Sequence, residues 1–294
     1  MTDGHATTSR LPDGLSPGGR FDSWQAPDIG WWASDIDGTL LGSDDEVAED
    51  AAEAMVAAAA TGLPVGLVTG RMRQGAVRIH DLLPVPGPHV MHNGAEVRMD
   101  GTTIASWPLE SDEVMALLEL CREQAAYCEF YTSETFWVTR TDDRAALHWA
   151  SLGQDPAGIV SPVAPPTDPV IKATFMGFDD DETDRLVTAI AALGLTIGDG
   201  RSLAHPGWSF LNVTRPGVDK AHAMRTAAAH IGVDLANVAM IGDGHNDLPA
   251  LAIVGTAIAM GNSGDDVKEI AHLVTDSVDD GGAILALRAL GLVT

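Results

Sequence analysis

Positive charge is scarce in this chain. Its 294 residues carry 17 Lys and Arg against 42 Asp and Glu, a formal net charge of -25. Nucleic acids and anionic membranes are held through clustered Lys and Arg, so a surface this acidic repels both. Cysteine is nearly absent: Cys121 and Cys128 stand seven positions apart in a segment that reads as helix, about 10 Å along its axis. A helix running through both keeps them beyond disulfide reach, and two unpaired, buried thiols fit a reducing cytoplasm. Long apolar runs are missing too, the longest, residues 54–60, being far too short to cross a bilayer. Residues 1–29 hold Pro12, Pro17, Pro27 and several Gly, Ser and Thr but no apolar run, which excludes a secretory h-region and reads as a disordered leader.

What the chain does have is acid at the ends of apolar segments. The uncharged stretch Gly30-Trp31-Trp32-Ala33-Ser34 runs into Asp35-Ile36-Asp37-Gly38-Thr39. Alternate residues of a strand share a side, so Asp35 and Asp37 point out together near its end, where Gly38 lets the backbone turn away. Two crowded acids need a counter-charge, and Mg²⁺ suits oxygen ligands. Taken alone the segment also reads as a surface turn. Downstream, Leu67-Val68-Thr69-Gly70-Arg71 ends a second apolar run with a hydroxyl, and Gly217-Val218-Asp219-Lys220 sets a lysine at a helix start. Ile241-Gly242-Asp243-Gly244-His245-Asn246-Asp247 then ends another apolar run with two more acids.

From residue 30 to about 94, short apolar runs alternate with helical stretches: strands at 30–34, 63–68 and 89–92, helices at 46–60 and 74–83. This is the βαβ rhythm of a doubly wound parallel sheet, whose ligands lie beyond the carboxyl ends of its strands. From 95 to about 214 the rhythm changes to an α+β module. It opens with a hairpin around Asp100-Gly101, followed by a helix at 111–125, a strand-like 129–139, a short helix at 145–151, a strand at 171–178, a helix at 182–193 and a last strand at 208–213. The βα rhythm resumes over 215–294. The expected fold is thus α/β: a Rossmann-like core, residues 30–94 and 215–294, interrupted by an insert at 95–214.

These four motifs, in this order, resemble the haloacid dehalogenase-like hydrolases, specifically the Cof-type, type IIB capped phosphatases, over nearly the whole chain from residue 30. The resemblance implies that the insert is a cap closing over the site. It also implies that Asp35 and Asp243 bind Mg²⁺ through carboxylates and Asp37 through its backbone carbonyl, with Asp247 close behind. Ala221 stands where many relatives carry Gly, which removes no functional group.

A carboxylate can attack phosphorus directly, and Asp35, first of its pair, is the candidate nucleophile. Asp37 is the candidate acid and base for the leaving oxygen and the attacking water. Thr69, Gly70 and Lys220 would hold the phosphoryl oxygens, and Asn246 would orient phosphate or metal shell. Arg71 either binds phosphate or caps a helix; Asn93 either contacts substrate or makes a tight left-handed turn. His245 reads as a loop histidine, Trp137, Trp149 and Trp208 as core, and Arg201 and His205 as weak specificity candidates. The expected activity is a cytoplasmic, Mg²⁺-dependent phosphatase of small phosphorylated metabolites, most of all sugar phosphates. A sugar phosphomutase is the rival, and a non-enzymatic metabolite-binding protein the third reading. Substrate identity and oligomeric state stay open.

Overall fold

A computed structural model describes residues 10–42, 47, 49–72, 85–201 and 207–294. The helix expected at 74–83 and His205 lie outside the described residues. The first half of the core carries β1 (Ser16–Pro17), β2 (Trp31–Ser34), α1 (Glu49–Ala60), β3 (Val65–Leu67) and β4 (His89–Met91). The hairpin β5 (Glu96–Met99) and β6 (Thr102–Ser106) follows, turning at Asp100 and Gly101, both at positive φ as that tight turn requires.

The cap comprises α2 (Ser111–Gln124), β7 (Cys128–Tyr131), β8 (Phe136–Val138), α3 (Asp143–Leu152), β9 (Lys172–Gly177), α4 (Asp180–Ala191), β10 (Thr196–Arg201) and β11 (Ser209–Thr214). Its five strands form an antiparallel sheet in the order β10-β11-β9-β7-β8. The chain then returns to the core through α5 (Lys220–Ile231), β12 (Val238–Gly242), α6 (Leu248–Leu251), β13 (Thr256–Ala259), α7 (Asp265–Ile270), β14 (Leu273–Val274) and α8 (Gly282–Ala289).

The core sheet runs β1-β14-β13-β12-β2-β3, parallel except for β1, so β2 lies between β12 and β3. Period-two alternation explains why these strands are apolar throughout. Trp32 points into one buried layer with Ala239, Ile241 and Ile258, while Trp31 and Ala33 point into the opposite layer with Val238, Met240 and Ala257. Helices cover both faces, α1 and α8 on the first, α5 and α6 on the second. Among the described residues no helix is long and apolar enough to cross a membrane.

Four expectations need correction. Residues 10–29 are not a disordered leader: β1 pairs with β14, Leu15 and Trp24 are buried, and Trp24 Nε1 donates to Thr256 Oγ1 at 3.0 Å. Two large apolar side chains scattered among prolines supply burial that composition conceals. The β5-β6 hairpin sits with the core rather than opening the cap, because it extends β4 and buries Val97 in the core layer under α5. The expected single strand at 129–139 is two strands, folded back where Thr132 Oγ1 accepts the amides of Glu134 and Thr135. Finally, α2 stops at Gln124 with Ala125 left-handed (φ 49°), so β7 doubles back and brings Cys128 into contact with Cys121; both remain free thiols. Strand β10 was not expected at all, since Thr196-Ile197-Gly198-Asp199-Gly200-Arg201 shows glycine where a strand pattern wants β-branched residues.

The packed N-terminal segment is testable. Trp24→Ala should lower unfolding free energy by about 3–5 kcal/mol in urea titrations, as for other buried tryptophans. An unchanged midpoint would show that this segment does not hold the core.

Candidate active site

Three neighbouring strands, β3, β2 and β12, end side by side, and each end delivers chemistry. Asp35 follows β2, Thr69 lies two residues past β3, and Asp243 follows β12. The fourth contributor is α5, whose first residue, Lys220, is buried completely; Asp219 caps that helix by accepting the His222 amide at 2.7 Å. A lysine on the inner face of a first helical turn has its ammonium directed at the strand ends. There Lys220 Nζ donates to Asp35 Oδ1 at 2.8 Å and to Asp247 Oδ1 at 2.6 Å.

Asp247 is fixed from both sides. Its second oxygen accepts the amides of Asp243 (3.2 Å) and Gly244 (3.0 Å), closing the 3₁₀ turn His245–Asp247. Asp243 takes weaker donors, Thr39 Oγ1 and Asn262 Nδ2, both at 3.4 Å. Gly38 (φ 76°) passes so close that a Cβ there would collide with the Asp243 carboxylate, which is why the turn after Asp37 requires glycine.

Carboxylate oxygens of Asp35, Asp243 and Asp247 all lie within 4.8 Å of one another. Three carboxylates and one ammonium leave two negative charges in a largely buried space. Burial and the Asp247 charge push Asp35 up to about 7 despite Lys220. Burial, then Asp35 and Asp247, raise Asp243 well above the carboxylate range. Burial alone would depress the Lys220 ammonium, but the Asp247 and Asp35 charges outweigh it and hold it raised. Carboxylate oxygens crowded this closely form a donor set that a divalent cation fits, since its two charges balance the excess.

Asp37 stands apart from this group. Its side chain is 53% exposed and gripped by Arg71, whose Nε lies 3.0 Å from Oδ2 and whose Nη2 lies 2.6 Å from Oδ1. Partial burial works to raise Asp37, but the Arg71 charge and hydrogen bonds outweigh it and keep the carboxyl below its ordinary range. Neither option expected for Arg71, phosphate ligand or helix cap, describes this bidentate pair. Thr69 is buried, and its Oγ1 accepts the Arg71 amide at 3.1 Å, so Gly70 is the tip of a tight loop beside Asp37.

Asn93 makes the left-handed turn (φ 58°), and its Oδ1 accepts Asn246 Nδ2 at 3.2 Å. His245 is exposed and pairs with Asp266 at 3.1 Å, away from the carboxylate group. Trp149 is partly buried in the cap, with Nε1 on Glu129 at 3.0 Å.

Three site residues escaped the sequence reading. Asn262 donates to the Gly38 carbonyl at 2.9 Å as well as to Asp243; it stands three residues past β13, so the strand-end rule applied to Gly261-Asn262 would have found it. Lys172 and Asn212 come from the cap. Lys172 Nζ donates to the Gly70 carbonyl and to Asn212 Oδ1, each at 2.8 Å, and lies 4.5 Å from the Tyr131 ring centroid. Burial lowers its ammonium to about 8, against the pull of Glu129 and Asp37. No sequence signal marked either, because the contact of Lys172 with the core loop joins residues 102 positions apart.

The Bacillus subtilis protein YxeH is 27% identical over 276 residues, covering 88% of this chain and 97% of that protein. A phosphoglycolate phosphatase of Methanopyrus kandleri is 26% identical over 257 residues, covering 87% of this chain and 95% of that protein. Among solved structures, the subclass IIB sugar phosphatase BT4131 superposes with a TM-score of 0.77 at 24% identity, covering 90% of this chain and 100% of that one. The model of the haloacid dehalogenase-like hydrolases matches residues 32–287, and the chain is a member of that family.

Proposed function

We propose that this hydrolase is a Mg²⁺-dependent phosphatase of small phosphorylated metabolites, sugar phosphates above all, working through an aspartyl-phosphate on Asp35. One observation carries the reading: a buried, Lys220-bonded Asp35 at a strand end, its oxygens grouped with those of Asp243 and Asp247. The names of a sugar phosphatase and a phosphoglycolate phosphatase among its likenesses support the same class of substrate.

Asp35 attacks phosphorus and expels the leaving oxygen; water then cleaves the acyl phosphate and regenerates the carboxylate. Lys220 keeps Asp35 oriented, and the Thr69 hydroxyl and Gly70 loop would hold phosphoryl oxygens. Asp35, Asp243 and the backbone carbonyl of Asp37 would hold Mg²⁺, with Asp247 bracing that shell. When bound, the ion neutralises charge on the phosphoryl group and keeps Asp35 ionised. Asp37 serves as the acid for the leaving oxygen and the base for water. Its grip by Arg71 matches the base role, and the acid role requires the carboxyl to leave the guanidinium when substrate enters. A cap over the site favours small substrates, because a closed lid leaves no path for a folded chain.

Phosphate release from a panel of sugar phosphates and phosphoglycolate should require Mg²⁺ and fall at least about a thousandfold in Asp35→Asn, which keeps the shape and removes the nucleophile. Isomerised sugar phosphate without free phosphate would instead make the protein a mutase. Independently of turnover, millimolar Mg²⁺ should raise the melting temperature of the wild type and release protons on binding. Asp243→Asn should abolish both responses; a shift that survives the substitution would place the cation elsewhere.

A further inference from the structure

Among the described residues the cap meets the core beside the proposed catalytic groups through one patch of cap sheet. On β9, Lys172 reaches the Gly70 carbonyl at 2.8 Å, steadied by Asn212 of β11, whose Oδ1 also accepts Thr174 Oγ1 at 3.1 Å. Gly198 of β10 is the register partner of Asn212. It faces Asn93 so closely that a Cβ on Gly198 would collide with Asn93 Nδ2. Asn93 in turn accepts from Asn246, inside the turn that ends at Asp247, and β10 lies against that turn. Gly70 and Asn93 are themselves linked, since the Asn93 amide donates to the Thr69 carbonyl at 3.0 Å.

We propose that Lys172 and Gly198 are positioning residues of the cap: Lys172 ties the lowered cap to the Gly70 carbonyl, and Gly198 leaves the clearance that lets it seat on Asn93. The Thr69–Arg71 loop and the Asn246 turn thereby take their working positions only with the cap down. Lys172 is poorly explained as packing. It is a buried cation on a sheet, and an apolar side chain of similar length would fill the space without the desolvation cost. Gly198 is equally specific: its φ lies outside the left-handed region, so the strand itself tolerates alanine, and only the seated cap forbids it.

The activity arm of the test rests on the phosphatase reading; the structural arm does not. Lys172→Met and Gly198→Ala would be compared with wild type by hydrogen–deuterium exchange and by hydrolysis of p-nitrophenyl phosphate and the best sugar phosphate. Both variants should exchange the Arg71, His92 and Asn93 amides at least about fivefold faster while β7 and β11 keep their protection. The kcat/KM for the sugar phosphate should drop roughly tenfold to hundredfold, the worth of one charge-assisted hydrogen bond, without a matching fall in melting temperature. Adding Asn93→Gly to Gly198→Ala removes the obstructing amide at a position glycine readily adopts, and should restore slow exchange. Unchanged loop exchange in both single variants, or loosening that extends to β7 and β11, would overturn the proposal. A wild type that releases no phosphate from any substrate would sink the phosphatase reading, while the exchange comparison would still decide the cap seat.

Discussion

The Lys220 ammonium, enclosed between Asp35 and Asp247, is the interaction on which the site depends. Three carboxylates cannot share a largely buried space without a cation among them, and among the described residues Lys220 supplies it from within. Removing one partner of such a buried pair costs about 3–5 kcal/mol, because the charge left behind has no water to turn to. The ammonium can occupy that spot only because Asp219 starts α5 there and because β2 and β12 are adjacent. One ion pair therefore ties the first half of the core to the second across the whole insertion.

The parallel sheet makes this adjacency cheap. Asp35 and Lys220, 185 residues apart, are brought together because β2 and β12 pair side by side in a sheet that buries apolar residues on both faces. Backbone amides and carbonyls are consumed by the ladder up to the strand ends and become available just beyond them. Ligand-holding loops thus need no apolar cover of their own. The residues there are free to be Asp, Thr, Gly and Asn, and the close pass of Gly38 by Asp243 shows how little space remains between two such loops.

Charge also explains the contrast between the two acids of the first motif. Asp35 and Asp37 lie two residues apart, yet burial among like charges raises one and Arg71 lowers the other. Separated proton affinities suit the roles proposed above, nucleophile for Asp35 and base for Asp37. Arg71 and Lys172 meet on the same short loop, one from the core and one from the cap, so loop position and cap position are physically linked.

Sequence by itself determined the alternation of apolar strands with helices, and with it the parallel core, because period-two burial and helix capping are local. The same locality exposed Asp35, Asp37, Thr69, Asp243 and Asp247 at or just past the ends of apolar runs, and Lys220 at a helix start. Tertiary structure alone decided which of those side chains meet. It paired Arg71 with Asp37, held residues 10–29 on the sheet through Trp24, turned Cys128 back onto Cys121, and brought Lys172, Asn212 and Gly198 of the cap to the loops of the core. Apart from the two cysteines, those contacts join residues tens to hundreds of positions apart, and their energies come from burial and charge summed over neighbours that no sequence window contains.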